Sequence, residues 1–253
     1  MYNVFLSGGG LKGAYQYGFF KELYRSWPDV PIKKVYAVSV GAMNSIPIVT
    51  RRMDALDKIW NDPLIHPFDT IVHDWGETRL SSRVVAFVKH GSIFKGMRRE
   101  PYEVFLNNLD VYDWDLIQKK LVIISYDKES KQTVLIPCTQ TKQTIDAIQS
   151  SSLYPGLFDA REAINIDGMF ANIKYIISEE YDERWICIDL QNDNTLFKEN
   201  MNAMVFHPRI SDIPLLNETA SLLSNRCILN QLIENGRHDA SIFVKQRWMH
   251  GQN

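Results

Sequence analysis

Twice within its first fifty residues the chain runs from an apolar stretch through a cluster of small residues straight into helical spacing. In YNVFLSGGGLKG the apolar run stops at Leu6 and three glycines follow; Leu11, Ala14, Tyr15, Gly18, Phe19 and Leu23 then recur at helical intervals. In KKVYAVSVGAMNSIPIV the second apolar run ends at Val38, and a buried-helix pattern begins almost at once. Pro28 and Pro31 punctuate the loop between the two units. Strands that hand over to helices in this way predict a parallel sheet with helices packed on its faces, because parallel neighbours need crossover connections.

Further along, LVIISYD and QTVLIPC, separated by the polar KESK, predict an antiparallel hairpin on that sheet. TIDAIQSSS predicts a short helix and AINID a strand, with the turn YPG between them; RWICIDL and NAMVFHP predict two more strands. Residues 51–119 predict several helices broken at Pro63, Pro67 and Pro101. Ile213 to Asn235 predicts a long amphipathic helix stopped by Gly236, with another beginning near Asp239. No repeat, low-complexity tract or linker interrupts the 253 residues, so a single domain over 1–253 is expected.

The 28 basic and 30 acidic residues nearly cancel, which removes any global attraction to nucleic acid, and the aromatic residues form no stacking platform. No nucleic-acid partner is expected. The carboxylates Asp57, Asp62, Asp69 and Asp74 lack metal-ligand spacing, as do Cys138, Cys187 and Cys227, so neither a metal nor another cofactor is expected. The cysteines read as buried free thiols of a reducing compartment. With no basic n-region before the first apolar run and no segment apolar enough to span a bilayer, a cytoplasmic protein is expected.

Gly8, Gly10 and Gly13 match G-x-G-x-x-G between a strand and a helix, the setting of a dinucleotide site. That site also wants an acid at the end of the second strand, where this chain has Val38 and Ser39. Ser39 itself, with Val40 and Gly41 after it, resembles the G-x-S-x-G nucleophile elbow, in which a serine sits on a sharp turn between small neighbours. Ala37 stands where the pattern has glycine. A serine elbow requires donors for a tetrahedral oxyanion, and the backbone of Gly8, Gly9 and Gly10 on the adjoining strand can provide them.

Taken in order, GGGLKG, VSVGAMNS, SSLYPGLF and IDGMFAN resemble the patatin-like phospholipase family, from residue 4 to about residue 172. The resemblance implies a three-layer α/β/α sandwich around a mainly parallel sheet. It also implies a serine lipid acyl hydrolase acting on glycerophospholipids or related acyl esters, with lipid as its partner. On this reading Gly8, Gly9 and Gly10 form the oxyanion loop, with Lys12 at the basic position. Ser39 is the nucleophile, and Asp167 of the Asp167-Gly168 pair is its base. The chain departs from the family at Ala37, at Ser7 where many members carry Asp, and at Met169 where Gly or Ala is usual.

A Ser-Asp dyad demands an unusual aspartate, since a free carboxyl with a pKa of about 3.9 is a poor base at neutral pH. An ordinary triad would instead need a late histidine, for which His207 and His238 are the candidates. Lys12 is a candidate contact to substrate phosphate or a cover for the first helical turn. Ser150, Ser151 and Ser152 have no elbow glycine and read as a helix end near the site. Residues 83–99 combine Arg83, Lys89, Lys95, Arg98 and Arg99 with apolar residues, which suits either a peripheral membrane contact or a core-facing helix with a solvated rim. Two other functions fit parts of the pattern: a catalytically silent relative that binds lipid or protein, and a nucleotide-binding enzyme using the glycine loop.

Overall fold

A computed structural model describes residues 1–61, 112–153, 163–172, 183–191, 202–209 and 226–250. The basic stretch 83–99, the turn YPG and the segment 213–225 lie outside these residues, as do most of the helices expected over 51–119.

The two strand-to-helix units form as the sequence predicts. β1 (Tyr2–Leu6) leads through a 3-10 turn (Gly10–Lys12) into α1 (Gly13–Ser26), and β2 (Ile32–Ala37) leads into α2 (Val40–Val49). α3 (Met53–Asn61) and α4 (Trp114–Lys120) precede β3 (Leu121–Asp127), which turns back as β4 (Gln132–Pro137). α5 (Thr141–Ser151), β5 (Asn165–Asp167), β6 (Arg184–Ile188), β7 (Ala203–Phe206) and α6 (Arg226–His250) complete the described elements.

The strands lie in the order β4-β3-β2-β1-β6-β7; β1 pairs in parallel with β2 and β6, β2 with β3, and β6 with β7. Among the described strands only β4 and β5 run antiparallel to their neighbour β3. Val4, Leu6, Val35, Ala37, Ile123, Ile186 and Ile188 enter one apolar cluster with α1, α2 and α6, while Phe5, Tyr36, Val38, Ile124, Trp185 and Cys187 enter a second. Alternate residues of β1, β2, β3 and β6 are thus buried on opposite sides, as a parallel sheet covered on both faces requires. The result is a mainly parallel sheet flanked by helices, the α/β sandwich expected. β1 lies between its successor β2 and the late strand β6, so the sheet changes direction of growth there, and in such sheets ligands bind beyond the carboxyl ends of the strands.

Two expectations fail. Gly236 does not stop a helix: Arg226–His250 is continuous, and Gly236 lies within it. A Cβ on Gly236 would stand 2.2 Å from the carbonyl oxygen of Tyr15, and one on Gly18 would stand 2.1 Å from that of Ile233. The glycines let α1 and α6 cross backbone to backbone, a tertiary need that sequence punctuation does not reveal. Tyr15 Oη donates to Asp239 at 2.6 Å across the same crossing, and Arg209 donates to the other carboxylate oxygen at 2.7 Å. The cysteines are all free, but only Cys138 and Cys187 are buried; Cys227 is on the outward side of α6. Among the described residues no helix is long and apolar enough to cross a membrane.

Candidate active site

Ser39 joins β2 to α2 with φ 54° and ψ −123°, a backbone state that costs a non-glycine residue about 1–3 kcal/mol. Its surroundings hold it there. Val38 N donates to Leu6 O on β1 at 2.9 Å, and Gly41 N turns back to Val38 O at 2.8 Å. A Cβ on Gly41 would lie 2.4 Å from Leu6 O, so only glycine lets the first turn of α2 pass over β1. Ala37, by contrast, is fully buried in the core cluster with its methyl accommodated. Every residue of Val40–Val49 is buried, which fixes the helix behind the serine.

The backbone polar groups of Ser39 are met from α5. Ser39 N donates to Ser151 Oγ at 3.0 Å, and that hydroxyl donates onward to Ile124 O at 2.6 Å. Ser152 Oγ donates to Ser39 O at 3.2 Å. Sequence reasoning located these serines near the site as a helix end; it missed that they clamp the elbow. Their only signal was three consecutive hydroxyls closing a helix before a turn.

Asp167 reaches Ser39 through an unusual use of a strand edge. β4 takes one edge of β3 from Val122 to Asp127. The opposite edge is shared: β2 pairs with Leu121–Ile123 and β5 with Ser125–Asp127. β5 therefore fills the edge that β2 leaves when it turns at Ser39, and its last residue is Asp167. Asp167 is 1% exposed. Its Oδ1 accepts from Met169 N at 2.9 Å, which caps the 3-10 turn Gly168–Phe170, and Gly168 packs against Ile124 O.

Burial pushes the Asp167 carboxyl up to about 7, against the opposing pull of the Met169 N–H and of the Ser39 hydroxyl. Oδ2 is buried without a hydrogen bond of ordinary geometry among the described residues. The serine hydroxyl is thus near enough to the carboxyl to lower its pKa.

The glycine loop closes the third side. A Cβ on Gly8 would fall 2.9 Å from Ser39 Cβ, and Gly10 has φ 55°. Ser7 ties the loop down: Leu190 N donates to its Oγ at 2.7 Å, and Gln16 Nε2 donates to its carbonyl at 2.9 Å. Asn44 of α2 donates to Gly13 O and to Gln16 Oε1, each at 3.0 Å, and accepts from Trp60 Nε1 at 3.1 Å. A buried polar chain thus links the loop to the helix that carries Val40 and Gly41. None of the hydrogen bonds among the described residues uses the N–H of Gly9, Gly10 or Val40. Lys12, at the end of the loop, is half-buried; desolvation lowers its pKa and Asp189 partly restores it.

The fold therefore brings Gly8, Gly9, Gly10, Ser39, Val40, Asp167, Gly168 and Met169 to one end of the sheet. The two candidate histidines stay apart from it. His207 follows β7, three strand spacings from β2, about 14 Å at the usual interval, and His238 is exposed on α6.

No family model matches the sequence, nor does any curated protein. Solved structures do resemble it. A chain of the heterodimeric ExoU-SpcU complex from the type III secretion system of Pseudomonas aeruginosa matches with a TM-score of 0.50 at 14% identity, over 98% of this chain and 52% of that one. VipD from Legionella pneumophila matches with a TM-score of 0.52 at 13% identity, over 97% of this chain and 67% of that one. The chain thus spans about half the length of the first and two thirds of the second. At these identities the likeness is one of fold: a mainly parallel sheet flanked by helices.

Proposed function

We propose that this protein is a serine hydrolase of lipid acyl esters, with glycerophospholipids as the substrate class and a Ser39-Asp167 dyad as its catalytic centre. The observation that carries the reading is the meeting of a strained serine with a buried aspartate whose pKa stands near 7, beside backbone donors on a glycine loop. An aspartate with an ordinary pKa would be too weak a base; one near 7 is ionised in part at neutral pH and can accept the proton of a serine hydroxyl.

In the first step Ser39 Oγ attacks the ester carbonyl carbon and its proton passes to Asp167. The carbonyl oxygen becomes an oxyanion held by N–H groups of Gly9, Gly10 and Val40. Collapse of the intermediate expels the alcohol, which takes the proton from Asp167, and leaves an acyl ester on Ser39. Water then attacks that ester with Asp167 again accepting a proton; collapse of the second intermediate breaks the bond to Ser39 Oγ, which takes the proton back from Asp167, and the free fatty acid departs. On this reading His207 and His238 take no part.

Fatty-acid release from phosphatidylcholine vesicles, followed for wild type, S39A and D167N, tests the proposal. Release by wild type that falls at least about 10³-fold in both variants is the expected result. Equal release by S39A, or none by wild type, overturns it.

A further inference from the structure

Resting on the hydrolase reading, we propose that the Met169 side chain, held in place by Gln191, limits how much bulk the acyl group can carry beside the reacting carbonyl. The Met169 backbone is fixed to the dyad, because its N–H donates to Asp167 Oδ1 at 2.9 Å. Its side chain then runs toward the glycine loop. Met169 Cγ and Sδ each lie 2.7 Å from the point where a Cβ on Gly8 would stand, and Ser39 Cβ lies 2.9 Å from that same point. Serine and thioether thus both close on the face of Gly8 from which a side chain would project, an approach open only because residue 8 has none.

Methionine has three side-chain torsions and on its own would be a soft wall. Here two restraints stiffen it. Gln191 Nε2 donates to Met169 Sδ at 3.1 Å, and Gln191 is itself positioned by its N–H on Asp189 Oδ1 at 3.0 Å, directly after β6. Met169 also packs at the margin of the second apolar cluster, to which Phe5, Val38 and Ile124 belong. An ester carbonyl must come within about 3–3.5 Å of Ser39 Oγ with its oxygen toward the loop. The first carbon of the acyl chain then passes the thioether. A methylene fits past it, while a branched carbon meets the sulfur.

The test compares kcat/KM for p-nitrophenyl butyrate, isobutyrate and pivalate, which share a leaving group and differ in branching next to the carbonyl. Wild type is expected to prefer butyrate. Met169→Ala should raise the pivalate-to-butyrate ratio at least about tenfold, as removal of a wall from a substrate pocket does. Gln191→Ala, which frees the sulfur without deleting it, should raise the ratio by about two- to fivefold. A wild type active on butyrate whose ratio moves less than twofold in Met169→Ala overturns this inference and leaves the dyad standing. A wild type that hydrolyses none of the three esters overturns the hydrolase reading, and this inference with it.

Discussion

Replacing Ser151 by alanine removes a single oxygen that serves two buried partners. Ser39 N loses its acceptor at 3.0 Å and Ile124 O loses its donor at 2.6 Å, at a side chain with no solvent exposure through which water could substitute. Each unmet buried group costs about 1–3 kcal/mol, so S151A should lose about 3 kcal/mol in all. For a chain of this size that is a fall in Tm of about 6–12 °C. The kinetic effect follows from the strain at Ser39. Once its N–H is released, the residue can relax from its positive φ, and a nucleophile displaced by about 1 Å lowers kcat by about 10²-fold. Ser151 touches no substrate, so KM should change little. Thermal unfolding by circular dichroism, with kcat and KM measured well below Tm, gives both quantities. If Tm falls while kcat holds within about threefold, Ser151 stabilises the fold without setting the elbow, and the reasoning fails.

Three further outcomes are expected. Activity should rise with pH through a single ionisation near 7, the pKa to which burial raises Asp167; a flat profile between pH 5 and 8.5 would remove Asp167 as the base. Stability should move the other way: with the native pKa raised from 3.8 to about 7, the native state holds the proton more tightly. The stability this group contributes is present below pH 3.8 and is lost as pH rises to 7, by about 4 kcal/mol in total. D167N should therefore melt higher relative to wild type at pH 8 than at pH 5, and equal differences at the two pH values would contradict the burial cause. Gly236→Ala, whose new methyl would meet Tyr15 O, should force α1 and α6 apart and cost about 2–3 kcal/mol; an unchanged Tm would show that the crossing has slack.

The parts of the site visible in the sequence are those in which backbone geometry restricts residue choice locally. Ser39 announced itself because a positive-φ turn between strand and helix demands small neighbours such as Gly41, and the glycine loop did so for the same reason. Asp167 was found by resemblance alone; its route to Ser39, along the edge of β3 that β2 vacates, is a fact of strand pairing between distant segments. The raised pKa, the Ser151-Ser152 clamp and the contact of Met169 with Gly8 arise from side chains far apart in sequence, where no periodicity or spacing rule reaches. Gly236 illustrates the converse error. A glycine at the end of an amphipathic pattern reads as a stop, yet here it serves a helix crossing that only the partner helix explains.

The central claim is that Ser39 is a nucleophile activated by Asp167. Intact-protein mass spectrometry after treatment with a fluorophosphonate, followed by peptide mapping, tests it without assuming a substrate. The account predicts one adduct per chain, located on Ser39, absent in S39A and formed at least about 10²-fold more slowly in D167N. Labelling at a different residue, or equal labelling of D167N and wild type, would contradict it.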